Sequence, residues 1–298
     1  MHFLQIILLA IVQGLAELLP VSSSAHVITA EKLMGLNPSS PEMTLLLVML
    51  HTGTMFAVIL YFWKAWQKTF FASAAVFKQQ ALRLIIATGF TGAIGYPLIK
   101  VIEKLAEKLG YITLGPDGKP IKTEIEHLFS NLELVAGALA VAGILILIAG
   151  LLEKRRAKNA EVGIRESAAI GIVQAFCLPF RGFSRSGATI STGLLLGCVK
   201  ARVEEFSFAL AVIITPAAIG REVLRLLRDQ HAAGGADSTA ITLSMFGPSL
   251  MGMVFAFLAG LVALKWLSGW LEKGRWYLFG IYCLVAATGV FILYTQGY

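Results

Sequence analysis

The chain has 298 residues, of which 57% are hydrophobic and only 14% charged, and its mean hydropathy is +0.75. Soluble domains carry about 45–50% apolar and about 25% charged residues, so this composition excludes an ordinary soluble protein and implies a polytopic membrane protein. The net charge of +7 does not mark a nucleic-acid binder, because the basic residues gather in short loops between apolar runs, the pattern of membrane topology.

The amino terminus has neither a basic leader nor a small-residue cleavage site, so no removable signal peptide is expected. A spanning helix needs about 20 mostly apolar residues. The segments 43–64, 84–104, 132–152, 206–227, 243–268 and 276–296 meet that requirement. Residues 1–36 and 167–198 differ: each holds a short apolar helix, a polar break rich in Pro, Gly and Ser, and a second short helical piece. Both read as re-entrant hairpins, since irregular backbone at membrane depth is tolerated only where protein or a water-filled cavity covers it. Cys177, Cys198 and Cys283 sit in apolar segments without metal-ligand spacing and read as packing residues.

Three spans separate the hairpins, so the second enters from the opposite face. Loops bearing Lys64, Lys68, Lys154, Arg155, Arg156, Lys158, Lys273 and Arg275 then share one side, which the positive-inside rule makes cytoplasmic. Both termini fall outside. The two breaks also answer each other, as 11-IVQGLAELLPVSSSAH-26 and 172-IVQAFCLPFRGFSRSGAT-189. The expected fold is therefore an all-α integral membrane protein of two inverted-topology repeats, each a hairpin plus three transmembrane helices. Repeat one covers 1–152, repeat two 167–298, and 153–166 is a cytoplasmic linker. Paired interruptions at matching places point to a binding site near the midplane.

Hydroxyl-bearing kinks are common glue between membrane helices. Intramembrane charge is costly, however, and Glu17, His26 and Arg185 are not needed for a kink. Gln13 and Glu17, four apart, share a helix face and offer oxygen ligands for Mg²⁺ or Ca²⁺. Equally, Glu17 pairs with Arg185 or caps the break. Ser23 and His26 are three apart, the spacing of a serine nucleophile and its base. In the second break, Gly182 and Gly187 flank Arg185, and Ser184, Ser186 and Thr189 add hydroxyls. Together with the helix that follows, these compose a phosphate cradle, although no Walker motif is present. Arg181 either adds a second positive charge or snorkels. His51 either faces the cavity or packs.

Here the residues resemble the bacterial undecaprenyl-diphosphatase family, also called bacitracin-resistance proteins. The family's (E/Q)-x-x-x-E followed by L-P-V-S-S and a histidine stands as 13-QGLAELLPVSSSAH-26, and its P-G-x-S-R-S-x-x-T as 181-RGFSRSGAT-189. The segment 205-EFSFALAV-212 is also similar. The resemblance implies hydrolysis of undecaprenyl pyrophosphate to the monophosphate in the bacterial inner membrane, recycling the cell-wall lipid carrier, with a divalent cation and a site open to the outside. It implies that Gln13 and Glu17 take the acidic or metal role, and that Ser23 and His26 are nucleophile and base. Arg185, with Ser22, Ser24, Ser184, Ser186 and Thr189, would hold the diphosphate. Arg181 replaces the motif's proline, Ala25 stands where glycine is usual, and His51 stands where the third span normally bears a Glu and a Gln.

The expected partners are the polyprenyl pyrophosphate and membrane lipids, with room for a homodimer. The alternative function is a transporter or flippase of an anionic lipid, which needs binding groups but no activated nucleophile. A type-2 phosphatidic acid phosphatase ranks below both, since no second histidine with a partnering acid follows Arg185.

Overall fold

The computed structural model describes residues 2–36, 41–108, 113–114, 120–121, 131–153, 161–232 and 238–297. The chain is helical almost throughout: α1 (Phe3–Leu18), α2 (Ser23–Leu33), α3 (Pro41–Thr69), α4 (Ala74–Lys108), α5 (Leu132–Glu153), α6 (Ile164–Phe176), α7 (Arg185–Leu195), α8 (Lys200–Ala232), α9 (Ser238–Glu272) and α10 (Trp276–Thr295). Two residue pairs, β1 (Thr113–Leu114) and β2 (Pro120–Ile121), meet in an antiparallel ladder within the loop after α4. The cytoplasmic linker expected at 153–166 lies mostly outside the described residues.

Helices long and apolar enough to cross a membrane cover Met43–Thr69, Ala74–Lys108, Leu132–Leu152, Phe246–Glu272 and Trp276–Thr295, so this is a multi-pass membrane protein. The span expected at 206–227 lies within α8, a 33-residue helix. Its apolar run is followed by Arg221, Glu222, Arg225 and Arg228. The two hairpins form as anticipated, α1 with α2 and α6 with α7. With 11 residues each, α2 and α7 reach only about 16 Å at 1.5 Å per residue, roughly half a hydrocarbon core.

Packing exchanges elements between the halves. α1 lies on α9, and α6 lies on α4, so the first helix of each hairpin packs on the second long helix of the other half. α5 packs on α10, and α3 on α8. Small residues set these approaches. A Cβ on Gly14 would stand 2.6 Å from Ala259 Cβ and 2.7 Å from the Ala256 carbonyl, while one on Gly171 would stand 2.3 Å from the Ala87 carbonyl. Without water to drive apolar surfaces together, close backbone contact through small residues is what holds membrane helices to each other. Thr91 on α4 donates to the Gly171 carbonyl at 3.0 Å and accepts from Gln174 Nε2 at 3.1 Å, so α6 is pinned by hydrogen bonds as well.

Candidate active site

Glu17 sits in the last turn of α1, which stops because Pro20 forces the preceding residue out of the helical region. Leu19 is extended, at φ −75° and ψ 152°, as a residue before proline prefers. The chain then turns sharply at Ser22, whose φ of 66° makes it the non-glycine residue with a left-handed backbone among the described residues. Such a conformation costs energy and clusters at functional sites. Ser22 Oγ accepts weakly from the Ala25 N–H at 3.5 Å and caps α2, whose first residue is Ser23. The turn therefore folds Ser23 back over the end of α1.

Glu17 is the hub of the result. Its Oε2 accepts from Ser23 Oγ at 2.5 Å and from Gln13 Nε2 at 3.2 Å, and lies 3.7 Å from His51 Nε2. Its Oε1 accepts from Arg185 Nη2 at 3.1 Å. The carboxylate is only 15% exposed, so the guanidinium beside it supplies the countercharge that burial demands. Arg185 is the first residue of α7, after Ser184, whose Oγ accepts from the Gly187 N–H at 3.2 Å and caps the helix. Arg185 Nη1 is buried and has no hydrogen-bond partner in the structure.

The other residues singled out from the sequence divide into two groups. Ser23, Ser24 and His26 are half-buried at the start of α2, with Ser24 Oγ 3.3 Å from Ser22 Oγ. Ser184, Ser186 and Thr189 are buried and committed to the protein. Ser186 donates to the Leu19 carbonyl at 3.2 Å, tying one break to the other, and Thr189 Oγ1 lies 2.6 Å from Ser207 Oγ. Gly182 and Gly187 serve packing on α5: a Cβ on Gly182 would meet the Val135 carbonyl at 2.4 Å, and one on Gly187 would meet Ile146 Cδ1 at 2.6 Å. Gly182 also has a φ of 108°, which favours glycine.

The contact anticipated between Ser23 and His26 is not the one that forms. His26 Nδ1 bonds the Ser22 carbonyl at 2.8 Å, and Nε2 bonds the Tyr282 hydroxyl at 2.7 Å. Ser23 turns to Glu17 instead. His51, undecided from sequence, is brought to Glu17 while its Nδ1 is held 2.8 Å from the Leu47 carbonyl. Tyr282 was not foreseen at all. It stands 256 positions from His26, so no spacing rule links them.

A family model described as bacitracin resistance protein BacA matches residues 6–289. The chain belongs to that family. It is 57% identical over 290 residues to undecaprenyl-diphosphatase 2 of Acinetobacter baylyi, covering 97% of each chain. It is 31% identical over 289 residues to an undecaprenyl-diphosphatase of Parabacteroides distasonis, covering 96% of each. A third relative, the undecaprenyl-diphosphatase of Rhodopirellula baltica, is 30% identical over 293 residues and 98% of each chain. The matched region of this BacA-family chain contains both breaks and every residue of the Glu17 cluster.

The described residues contain no group of three His, Cys, Asp or Glu side chains able to hold a metal ion. What the BacA-family site offers is one carboxylate, Glu17, and one amide, Gln13, which is 1% exposed. That set suits Mg²⁺ only in the manner of phosphoryl-transfer sites, where one or two carboxylates act together with substrate phosphate oxygens.

Proposed function

We propose that this protein removes the terminal phosphate of undecaprenyl pyrophosphate, giving undecaprenyl phosphate and inorganic phosphate and so recycling the lipid carrier of cell-wall synthesis. The observation that carries the reading is the Glu17 carboxylate gripped at once by Ser23 and Arg185, with the second arm of Arg185 unpartnered. A serine hydroxyl becomes nucleophilic when an adjacent base takes its proton. A guanidinium beside it stabilises charge on the phosphoryl group in flight.

In the first step Glu17 takes the Ser23 proton and Ser23 Oγ attacks the terminal phosphorus. The bond from that phosphorus to the bridging oxygen breaks, and undecaprenyl phosphate leaves. In the second step water attacks the phosphoserine. The bond to Ser23 Oγ breaks, Oγ recovers its proton from Glu17, and the proton lost by water passes to His26. Arg185 holds the transferred phosphoryl group through both steps. Glu17 and the Gln13 carbonyl are the groups that would hold a divalent cation, which would neutralise diphosphate charge on binding.

The same reading takes the halves as inverted repeats, supported by the reciprocal packing of α1 on α9 and α6 on α4. It also opens the site to the extracytoplasmic side, following the loop charges. A carrier of the same lipid would need the Arg185 fork but not a serine hydroxyl at 2.5 Å from a buried carboxylate. The experiment is phosphate release from undecaprenyl pyrophosphate by detergent-purified protein, with Mg²⁺ or Ca²⁺ and then with EDTA. Release that EDTA abolishes supports the assignment; bound lipid without release overturns it in favour of a carrier.

A further inference from the structure

We infer that Tyr282 is a further catalytic residue, the outer end of a proton relay that begins at His26. The inference rests on the two-step reaction above and assigns a residue from the last helix to it.

The hydrogen bonds around His26 fix its state. Nδ1 lies 2.8 Å from the Ser22 carbonyl, which only accepts, so Nδ1 carries a hydrogen. In the neutral ring Nε2 then has only a lone pair, and the Tyr282 hydroxyl 2.7 Å away must donate to it. When the ring is charged, Nε2 carries a hydrogen and the same phenol oxygen accepts. The contact therefore survives in both protonation states, and a proton can cross it without any movement of heavy atoms. The rings also stack, 5.6 Å between centroids and 10° from parallel. A histidine needed only for packing would not require a hydroxyl on its remaining nitrogen.

Two further features place this pair at the reaction rather than in the core. His26 stands one turn from Ser23 on α2, and the strained Ser22 that anchors its Nδ1 is the cap of that helix. Tyr282 is 48% exposed, with its neighbours Phe279 and Cys283 buried against α5 and the first break. Cys283 Sγ lies 3.3 Å from the Pro20 carbonyl, so α10 is seated directly on the break that carries Ser23. With both His26 nitrogens occupied, water reaches the imidazole only through the phenol. In the second step water gives a proton to the Tyr282 oxygen as the Tyr282 hydrogen passes to Nε2. The hydroxide equivalent bonds to phosphorus, and the imidazolium returns its proton to solvent by the same path.

The test is Tyr282→Phe, which keeps the ring and removes the hydroxyl, compared with wild type, His26→Ala and the double variant. Because the relay serves the second step alone, Tyr282→Phe should lower kcat about tenfold while kcat/KM changes less than about twofold. A rapid burst of undecaprenyl phosphate, about one per enzyme, should precede slow inorganic phosphate release. In the His26→Ala background the same change should cost nothing more. In parallel, ¹⁵N spectra of histidine-labelled protein, with the His26 signals assigned by His26→Ala, should show the Nε2 resonance displaced in Tyr282→Phe. Equal losses in kcat and kcat/KM, an undiminished penalty without His26, or an unchanged Nε2 resonance would each overturn the relay. If wild type itself releases no phosphate, the hydrolase reading fails and the relay with it, an outcome separate from a silent Tyr282→Phe in an active enzyme.

Discussion

Arg185 Nη2 donates to Glu17 Oε1 at 3.1 Å, joining the first helix residue of one hairpin to the last turn of the other across 168 positions of sequence. The bond explains why two costly charges persist in an apolar chain. Each is the other's countercharge, and in the proposed reaction their junction is where the diphosphate would meet both the guanidinium and Ser23.

Arg185→Ala removes that cation and takes the guanidinium countercharge away from Glu17. Phosphate release should fall about 10²–10³-fold, the usual penalty for losing a donor that stabilises transition-state charge. Arg185→Lys should recover only a small part, since a point charge cannot hold Glu17 and phosphate together as a fork does. Steady-state phosphate release, on variants whose thermal unfolding has been compared, decides it.

Ser23 and Glu17 should fail as a unit. If the 2.5 Å bond marks nucleophile and base, Ser23→Ala and Glu17→Gln each abolish most activity, and the double variant is no worse than the poorer single. Acid-quenched wild type should carry phosphate on Ser23. Losses that multiply would mean that the two residues act independently.

Gln13 and Gln174 occupy corresponding places in the two Ile-Val-Gln motifs, yet the fold uses them differently. Gln13 donates to Glu17, whereas Gln174 donates to Thr91 on α4. Gln13→Ala should lower phosphate release about tenfold with little change in stability. Gln174→Ala should cost about 1 kcal/mol of stability, the net worth of a typical hydrogen bond, and leave kcat within about threefold. Measuring both variants for activity and thermal unfolding tests the division.

Gly171→Ala should destabilise by about 1–3 kcal/mol through overpacking, because its Cβ would fall 2.3 Å from the Ala87 carbonyl, a backbone atom that cannot swing aside. Gly92→Ala, on α4 with nothing within 4 Å of the new Cβ, should be neutral or slightly stabilising. Thermal unfolding in one detergent compares them directly.

Much of the fold was written in hydropathy. The long apolar runs became α3, α4, α5, α9 and α10 because a helix in lipid must satisfy its own backbone, which leaves few alternatives. The region 206–227 is likewise helical, within α8. The hairpins were legible as well, through Pro20 and the glycine and serine punctuation at 182–187, since those residues end and restart helices by local sterics.

The sequence by itself determined that this is a multi-pass membrane protein, where its helices break, and which costly charged residues sit at the breaks. Only the tertiary structure decided the partnerships. The spacing of Ser23 and His26 favoured a bond between them, but spacing measures position along one helix and not what faces it from elsewhere. Glu17, returning from the preceding helix, took the serine, and Tyr282, arriving from α10, took the histidine. His51 entered the site from α3 for the same reason. Local sterics and burial act over a few residues and can be read along the chain. Hydrogen-bond partners separated by 168 or 256 residues are fixed by how helices pack, and packing is a property of the whole.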